Sequence, residues 1–227
     1  DDARSGRLYG RDSVFPHRRS STGMKKHVNY VNPQSWATYD TCLPAELCDA
    51  VTEHFVDLPV TAGTAHAHKG HRRCGLTWTS PDNWVGPFLW KYIQETNDRV
   101  FQYDITETYM TEIHQLEYRV GHYYHWHVDD DISCHIQYAP PPFGTARQNI
   151  TEYVRKLSFS LQLTDPSEYT GGDVQIIDDT GGRGMMTIPK ERGTLCIFDS
   201  RTRHRVKPVK TGKRFVLVGW VLGPRWK

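Results

Sequence analysis

The chain has 227 residues, with 28 basic against 26 acidic side chains and a net charge of +2. That length points to one domain with attached helices, or at most two small ones, and the charge balance speaks against a dedicated nucleic-acid binder while leaving room for a local basic patch. Five cysteines without a CxxC spacing speak against a disulfide framework and for a reducing, intracellular setting, and no apolar run approaches the roughly 18 residues of a membrane span.

Residues 1–23, "DDARSGRLYGRDSVFPHRRSSTG", are polar and lack an apolar period. They read as an added leader before a natural start at Met24; the rival reading is a disordered basic arm or lid. "PAELCDAVTEHFVDL" places Leu47, Ala50, Val51, His54, Phe55 and Leu58 on one helical face, with Pro44 at the first turn. "VTAGTAHAHKGHRRCG" follows as a Gly/His/Arg-rich loop. "GPFLWKYIQETNDRVFQY" spaces Leu89, Ile93 and Val100, and Phe88 and Tyr92, for a second helix that begins after Gly86-Pro87. Residues 24–103 are expected as a helical N-terminal part packing on a barrel.

From about residue 104 the period becomes two. "KLSFSLQL" puts Leu157, Phe159, Leu161 and Leu163 on one face and Ser158, Ser160 and Gln162 on the other. "DVQII", "GMMTIP", "GTLCIFDS", "RHRVKPV" and "RFVLVGWVL" continue the series to about eight short strands, which predicts a sandwich or barrel over 104–227 with the helices on one sheet. A long loop is expected from Gln137 to about Arg155. Gly171 and Gly172 read as a turn requirement.

The densest stretch is "EYRVGHYYHWHVDDD", Glu117 to Asp131. Alternation on a strand sends His127 and Asp129 to the same face. His125 shares that parity but lies four positions from Asp129, and Asp131 lies where the strand should end. His204, 75 positions beyond Asp129, can supply a third ligand. Two histidines and one carboxylate form the facial triad of non-haem Fe(II) oxygenases. Arg214 follows ten residues later, and an arginine fork binds a carboxylate through two parallel hydrogen bonds. HxD alone is common on surface loops. The order HxD, paired glycines before a strand, then HRVxPV and GxR is what narrows the reading.

This order resembles the 2-oxoglutarate- and Fe(II)-dependent dioxygenases, in the prolyl 4-hydroxylase-like branch, over roughly residues 72–222. "YRVGHYYHWHVD", "LSFSLQLTDPSEYTGGDVQI" and "GTLCIFDSRTRHRVKPVKTGKRFVLVGWV" carry the resemblance. It implies a mainly β chain: a double-stranded β-helix (jelly roll, cupin-like) with supporting N-terminal α-helices, forming one domain overall. It also implies that His127, Asp129 and His204 hold the iron as the catalytic centre. Arg214 would pair with the far carboxylate of 2-oxoglutarate, with Tyr118 beside it. Gln162 falls where some members carry a tyrosine hydroxyl, which is a departure. Tyr124, Trp220 and Arg155 match positions around the substrate; read alone, they are a packed aromatic, a core residue and a surface residue.

The implied cofactors are Fe(II), 2-oxoglutarate and O2, with ascorbate as an accessory reductant. The implied reaction hydroxylates an aliphatic C–H and releases succinate and CO2. The carboxylate at Asp129 favours hydroxylation over halogenation, because related halogenases vacate that position. A prolyl residue in a peptide or protein is the first substrate expectation, a free amino acid or other small molecule the second, and nucleic acid the third. A cupin-like metal-binding or sensing module without turnover is the alternative from another class. His66, His68 and His71 lack the carboxylate or cysteine that would complete a second metal site, Arg72 and Arg73 read as solvating a loop with substrate contact as the rival reading, and the oligomeric state stays open.

Overall fold

The computed structural model describes residues 8–9, 35–39, 43–63, 70–79, 83–106, 113–130, 136–138, 151–179 and 184–226. In chain order the elements begin with β1 (Leu8–Tyr9), β2 (Trp36–Tyr39), α1 (Ala45–His54), β3 (Thr61–Gly63), β4 (Arg72–Trp78) and α2 (Val85–Thr96). There follow β5 (Ile113–Tyr118), β6 (Tyr123–His127), β7 (Ile136–Tyr138), β8 (Thr151–Gln162), β9 (Tyr169–Gly171) and β10 (Val174–Asp178). The chain closes with β11 (Gly184–Thr187), β12 (Leu195–Asp199), β13 (His204–Val206), β14 (Val209–Gly212) and β15 (Arg214–Pro224).

Among the described residues, thirteen strands form one sheet in the order β1-β2-β12-β8-β15-β5-β4-β6-β13-β10-β11, with β3 added on β4 and β7 on β8. Every pairing is antiparallel. β4 turns the corner. Its Gly75–Trp78 half pairs with β5, while Arg72 and Arg73 pair with Tyr124 and Tyr123 of β6. The sheet therefore doubles back on itself into a major and a minor face, the jelly roll expected from the sequence.

Strand alternation divides the core in two. Leu157, Phe159, Leu161 and Leu163, with Leu195, Ile197, Leu217 and Val221, face α1 and α2. The opposite row, including Leu116, Tyr118, Cys196, Phe198 and Val216, fills the space between the two sheets with Val174, Ile176 and Val206. Each fully buried leucine of the helix-facing layer contributes roughly 1.5–3 kcal/mol. α1 buries Cys48 and Val51, and the Pro44 carbonyl accepts from the amides of Leu47 and Cys48. α2 buries Val85, Leu89 and Ile93 at four-residue spacing. A π-turn, Asn97–Phe101, follows and ends at Gln102 in the left-handed region, where the Asn97 amide bonds both the N–H and the carbonyl of Tyr103. Gly171 and Gly172 both have positive φ, and a side chain on Gly171 would collide with the Pro208 carbonyl.

Several expectations need correction. Segment 24–103 supplies β2, β3 and β4 to the sheet as well as both helices. The supposed His/Arg-rich loop contains a hairpin, with Thr61 opposite Leu76 and Gly63 opposite Cys74. α2 starts at Val85, so Gly86-Pro87 lies inside its first turn, where proline's missing N–H would be unpaired anyway. The loop expected over 137–155 is strand at both ends, with Gln137 opposite Glu152; its middle, like His66, His68 and most of the first 34 residues, lies outside the described residues.

Candidate metal centre

His127 ends β6 and His204 begins β13, and the two are direct partners across the minor sheet. Their ring centroids are 4.0 Å apart. Asp129 follows just past β6, where its N–H donates to the Ser200 carbonyl at 2.8 Å. One ligand atom from each of the three residues fits within a 4.8 Å span. His127 Nε2 lies 3.6 Å from Asp129 Oδ1, and His204 Nε2 lies 3.4 Å from Oδ2. Each histidine bonds a backbone carbonyl through Nδ1: His127 to His125 at 2.7 Å, His204 to Thr202 at 2.9 Å. Those bonds place the proton on Nδ1 and turn the Nε2 lone pair inward, as a metal ligand requires. His125 thus contributes its carbonyl, while its ring is exposed. Asp130 accepts from Trp226 Nε1 instead, and Asp131 lies outside the described residues.

Burial alone would push the Asp129 carboxyl up. His204, His127, Arg155 and the 2.7 Å bond from Ser158 Oγ outweigh it and hold the group at about 2. Burial, then the neighbouring His204, push His127 down to about 3 against the pull of Asp129. At neutral pH the carboxylate is therefore charged and the imidazole neutral, the forms that bind a metal. Tyr124 stacks on His127 at 3.5 Å, and burial raises its hydroxyl to about 12.

The triad opens into a cavity of about 510 Å³, counting the part open to solvent. Arg214, 1% exposed, lines the same cavity as the triad, directly opposite Tyr118 in the β15–β5 register. Its Nε and Nη2 donate to Gln162 Oε1 at 3.3 and 2.8 Å, while Nη1 has no partner among the described residues. A buried guanidinium held by a neutral amide, with one nitrogen still to pair, calls for an anion. A hard carboxylate and two imidazoles beside such a guanidinium fit an Fe(II) ion and a dicarboxylic co-substrate. Tyr118 is 1% exposed, and burial lifts its hydroxyl far above the usual range.

Trp220 shares the Arg214 face of β15 and lines the cavity. Arg155 stacks on its ring at 3.5 Å and donates to the Asp129 carbonyl at 3.4 Å. The structure thus gathers all nine residues singled out in the sequence: seven line the cavity, and Gln162 and Arg155 hold two that do. Arg72, expected to solvate a loop, instead sits on β4 over the Tyr124 ring at 4.9 Å and lines the cavity. Ser158 and Ser200, 2.9 Å apart, support Asp129 from behind. His114 was missed altogether. It shares the face of Leu116 and Tyr118 on β5, and that parity was the one available signal.

Comparison with known proteins agrees with this geometry. The model of the 2OG-Fe(II) oxygenase superfamily matches residues 113–222. A PKHD-type hydroxylase of Synechococcus elongatus is 31% identical over 175 residues, 75% of this chain and 68% of that protein. A prolyl-4-hydroxylase of Pseudomonas putida superposes with a TM-score of 0.60 at 18% identity, covering 85% of this chain and 94% of the other. A prolyl hydroxylase of Trichoplax adhaerens, solved with a hypoxia inducible factor oxygen degradation domain peptide fragment, gives 0.63 at 16% identity, covering 83% and 84%.

Proposed function

Because the chain belongs to the 2OG-Fe(II) oxygenase superfamily, in its prolyl hydroxylase-like branch, we propose that it is an Fe(II)- and 2-oxoglutarate-dependent dioxygenase that hydroxylates an aliphatic C–H of a prolyl residue in a peptide or protein. In this reading His127, Asp129 and His204 hold the iron. Arg214 grips the far carboxylate of 2-oxoglutarate, Gln162 fixes the guanidinium where some members of the family carry a tyrosine hydroxyl, and Tyr118 walls the same end. When bound, iron and co-substrate supply the oxidation: 2-oxoglutarate and O2 yield succinate and CO2, and the remaining oxygen atom enters the substrate C–H. Ser158 and Ser200 orient the Asp129 carboxylate, and the Nδ1 bonds of both histidines fix their rings. Tyr124, Trp220 and Arg155 would flank the substrate at the mouth.

The observation that carries this reading is the buried Arg214 fork in one cavity with the triad. A metal-binding or sensing module without turnover has no use for it. The peptide complex of the Trichoplax protein supports a peptide over a free amino acid. Cys48 and Cys196 are free and buried, which supports an intracellular setting; no helix among the described residues is long and apolar enough to cross a membrane. Ascorbate enters as an accessory reductant, to be tested by its omission.

The test incubates purified protein with Fe(II), 2-oxoglutarate and proline peptides, and reads succinate and one added oxygen atom by mass spectrometry. Asp129→Ala should reduce both products to background. Hydroxylation that survives the substitution overturns the ligand assignment, and absence of succinate from the unsubstituted protein overturns the enzyme reading.

A further inference from the structure

His114 is fully buried on β5, and neither ring nitrogen has a hydrogen-bond partner among the described residues. It is paired across the sheet with Trp78 of β4 on one side and Val218 of β15 on the other. Its ring centroid lies 4.6 Å from that of Trp78 and 5.0 Å from that of Trp220. Trp78 is 44% exposed, so the row Trp78, His114, Trp220, Arg155 leads from the surface to the triad's cavity, which His114 lines. A desolvated donor and acceptor left unpaired in a packed core need an explanation, and at a cavity wall the explanation is a ligand that pairs them.

We propose that His114 is a substrate-recognition residue: its imidazole, held between Trp78 and Trp220, donates a hydrogen bond to a neutral amide carbonyl of a peptide substrate. The inference rests on the hydroxylase reading above and names the chemistry beside the hydroxylated ring. A neutral imidazole has one N–H to donate and one lone pair to accept. A peptide offers the matching groups, a carbonyl and, one residue on, an amide N–H. Burial and the guanidiniums of Arg72 and Arg155 keep His114 neutral. Those same cations repel the ammonium of a free amino acid, whereas a peptide unit carries no charge to place there. Arg72 and Arg155 are themselves committed, the first to Cys74 Sγ and the Tyr124 ring, the second to Trp220 and the Asp129 carbonyl.

The experiment compares wild type, His114→Leu and His114→Gln on N-acetylated, C-amidated proline peptides and on free L-proline, with melting temperatures of the same proteins. His114→Leu should raise the peptide KM about ten-fold while kcat stays within about three-fold, the pattern of lost binding rather than lost chemistry. His114→Gln, which keeps a donor and an acceptor, should recover most of that loss. The His114→Leu protein should melt at or above the wild-type temperature, because it removes an unpaired buried polar group. An unchanged KM, a lowered melting temperature, or wild-type preference for free L-proline overturns the inference. Wild-type protein that forms no succinate with any probe overturns the hydroxylase reading itself, a result distinct from turnover that His114→Leu leaves untouched.

Discussion

Arg214 is a fully buried side chain, yet half of its fork is held by an uncharged amide. Burying a cation that way costs stability unless an anion arrives, so its contribution should appear in co-substrate binding. Arg214→Lys keeps the charge but loses the planar fork; it should raise the 2-oxoglutarate KM about ten-fold or more, since losing one charge-assisted bond costs roughly 1.5–3 kcal/mol. Metal affinity, followed with Mn(II) as the probe, should hold. Loss of metal in this variant would make the arginine a scaffold of the triad. The sequence exposed Arg214 and the triad because strand parity and order constrain them: His127 and Asp129 are two apart, and His204 and Arg214, ten apart, open β13 and β15. It did not expose His114, and it offered a substrate role for Arg72 only as the lesser of two readings. A histidine between Ile113 and Gln115 shows only which face it shares. What surrounds that face comes from Trp78 and Trp220, 36 and 106 positions away in the chain.

At the level of elements, β8 shows how one strand serves two purposes. Its odd-numbered positions 157, 159 and 161 build the helix-facing core, and its even-numbered positions 158, 160 and 162 support Asp129 and Arg214. The two rows should separate by experiment. Leu161, fully buried against the helices, should cost about 2–5 kcal/mol when changed to alanine. The loss would be read as a lowered denaturant midpoint with an unchanged m-value. The surviving folded fraction should keep its 2-oxoglutarate KM, and a shifted KM would mean that the two faces are coupled. The clean alternation of "KLSFSLQL" made β8 readable, as it did β15. β4 was hidden because "RRCG" has the charge and glycine of a loop. In the fold this stretch turns the corner between sheets, so its two halves pair with different neighbours and no single alternation governs it.

For the molecule as a whole, enclosing this cavity has a consequence in acid. An unfolded histidine titrates near 6.5. In the fold His127 sits at about 3, and His114 is pushed well below 6.5 by burial, then by Arg72 and Arg155. Below pH 6.5 the unfolded chain therefore takes up protons that the folded chain refuses, and stability falls as pH drops from 6.5 toward the folded values. Asp129, held at about 2, acts in the same direction: its stabilisation is full above about 3.8 and is lost between there and about 2. His127, moved from about 6.5 to about 3, accounts for roughly 4–5 kcal/mol at the acid end, a large share of a domain's stability. The metal-free protein should therefore melt progressively lower between pH 7 and pH 4, and His114→Leu should flatten that slope. Saturating Fe(II) should raise the whole curve, more at pH 7 than at pH 5, because protons compete for the ligands. Melting temperatures that stay level from pH 7 to pH 4.5 would mean that both histidines reach solvent or a proton-sharing partner in solution. In that case the burial of His114, on which the substrate reading depends, would not hold in solution.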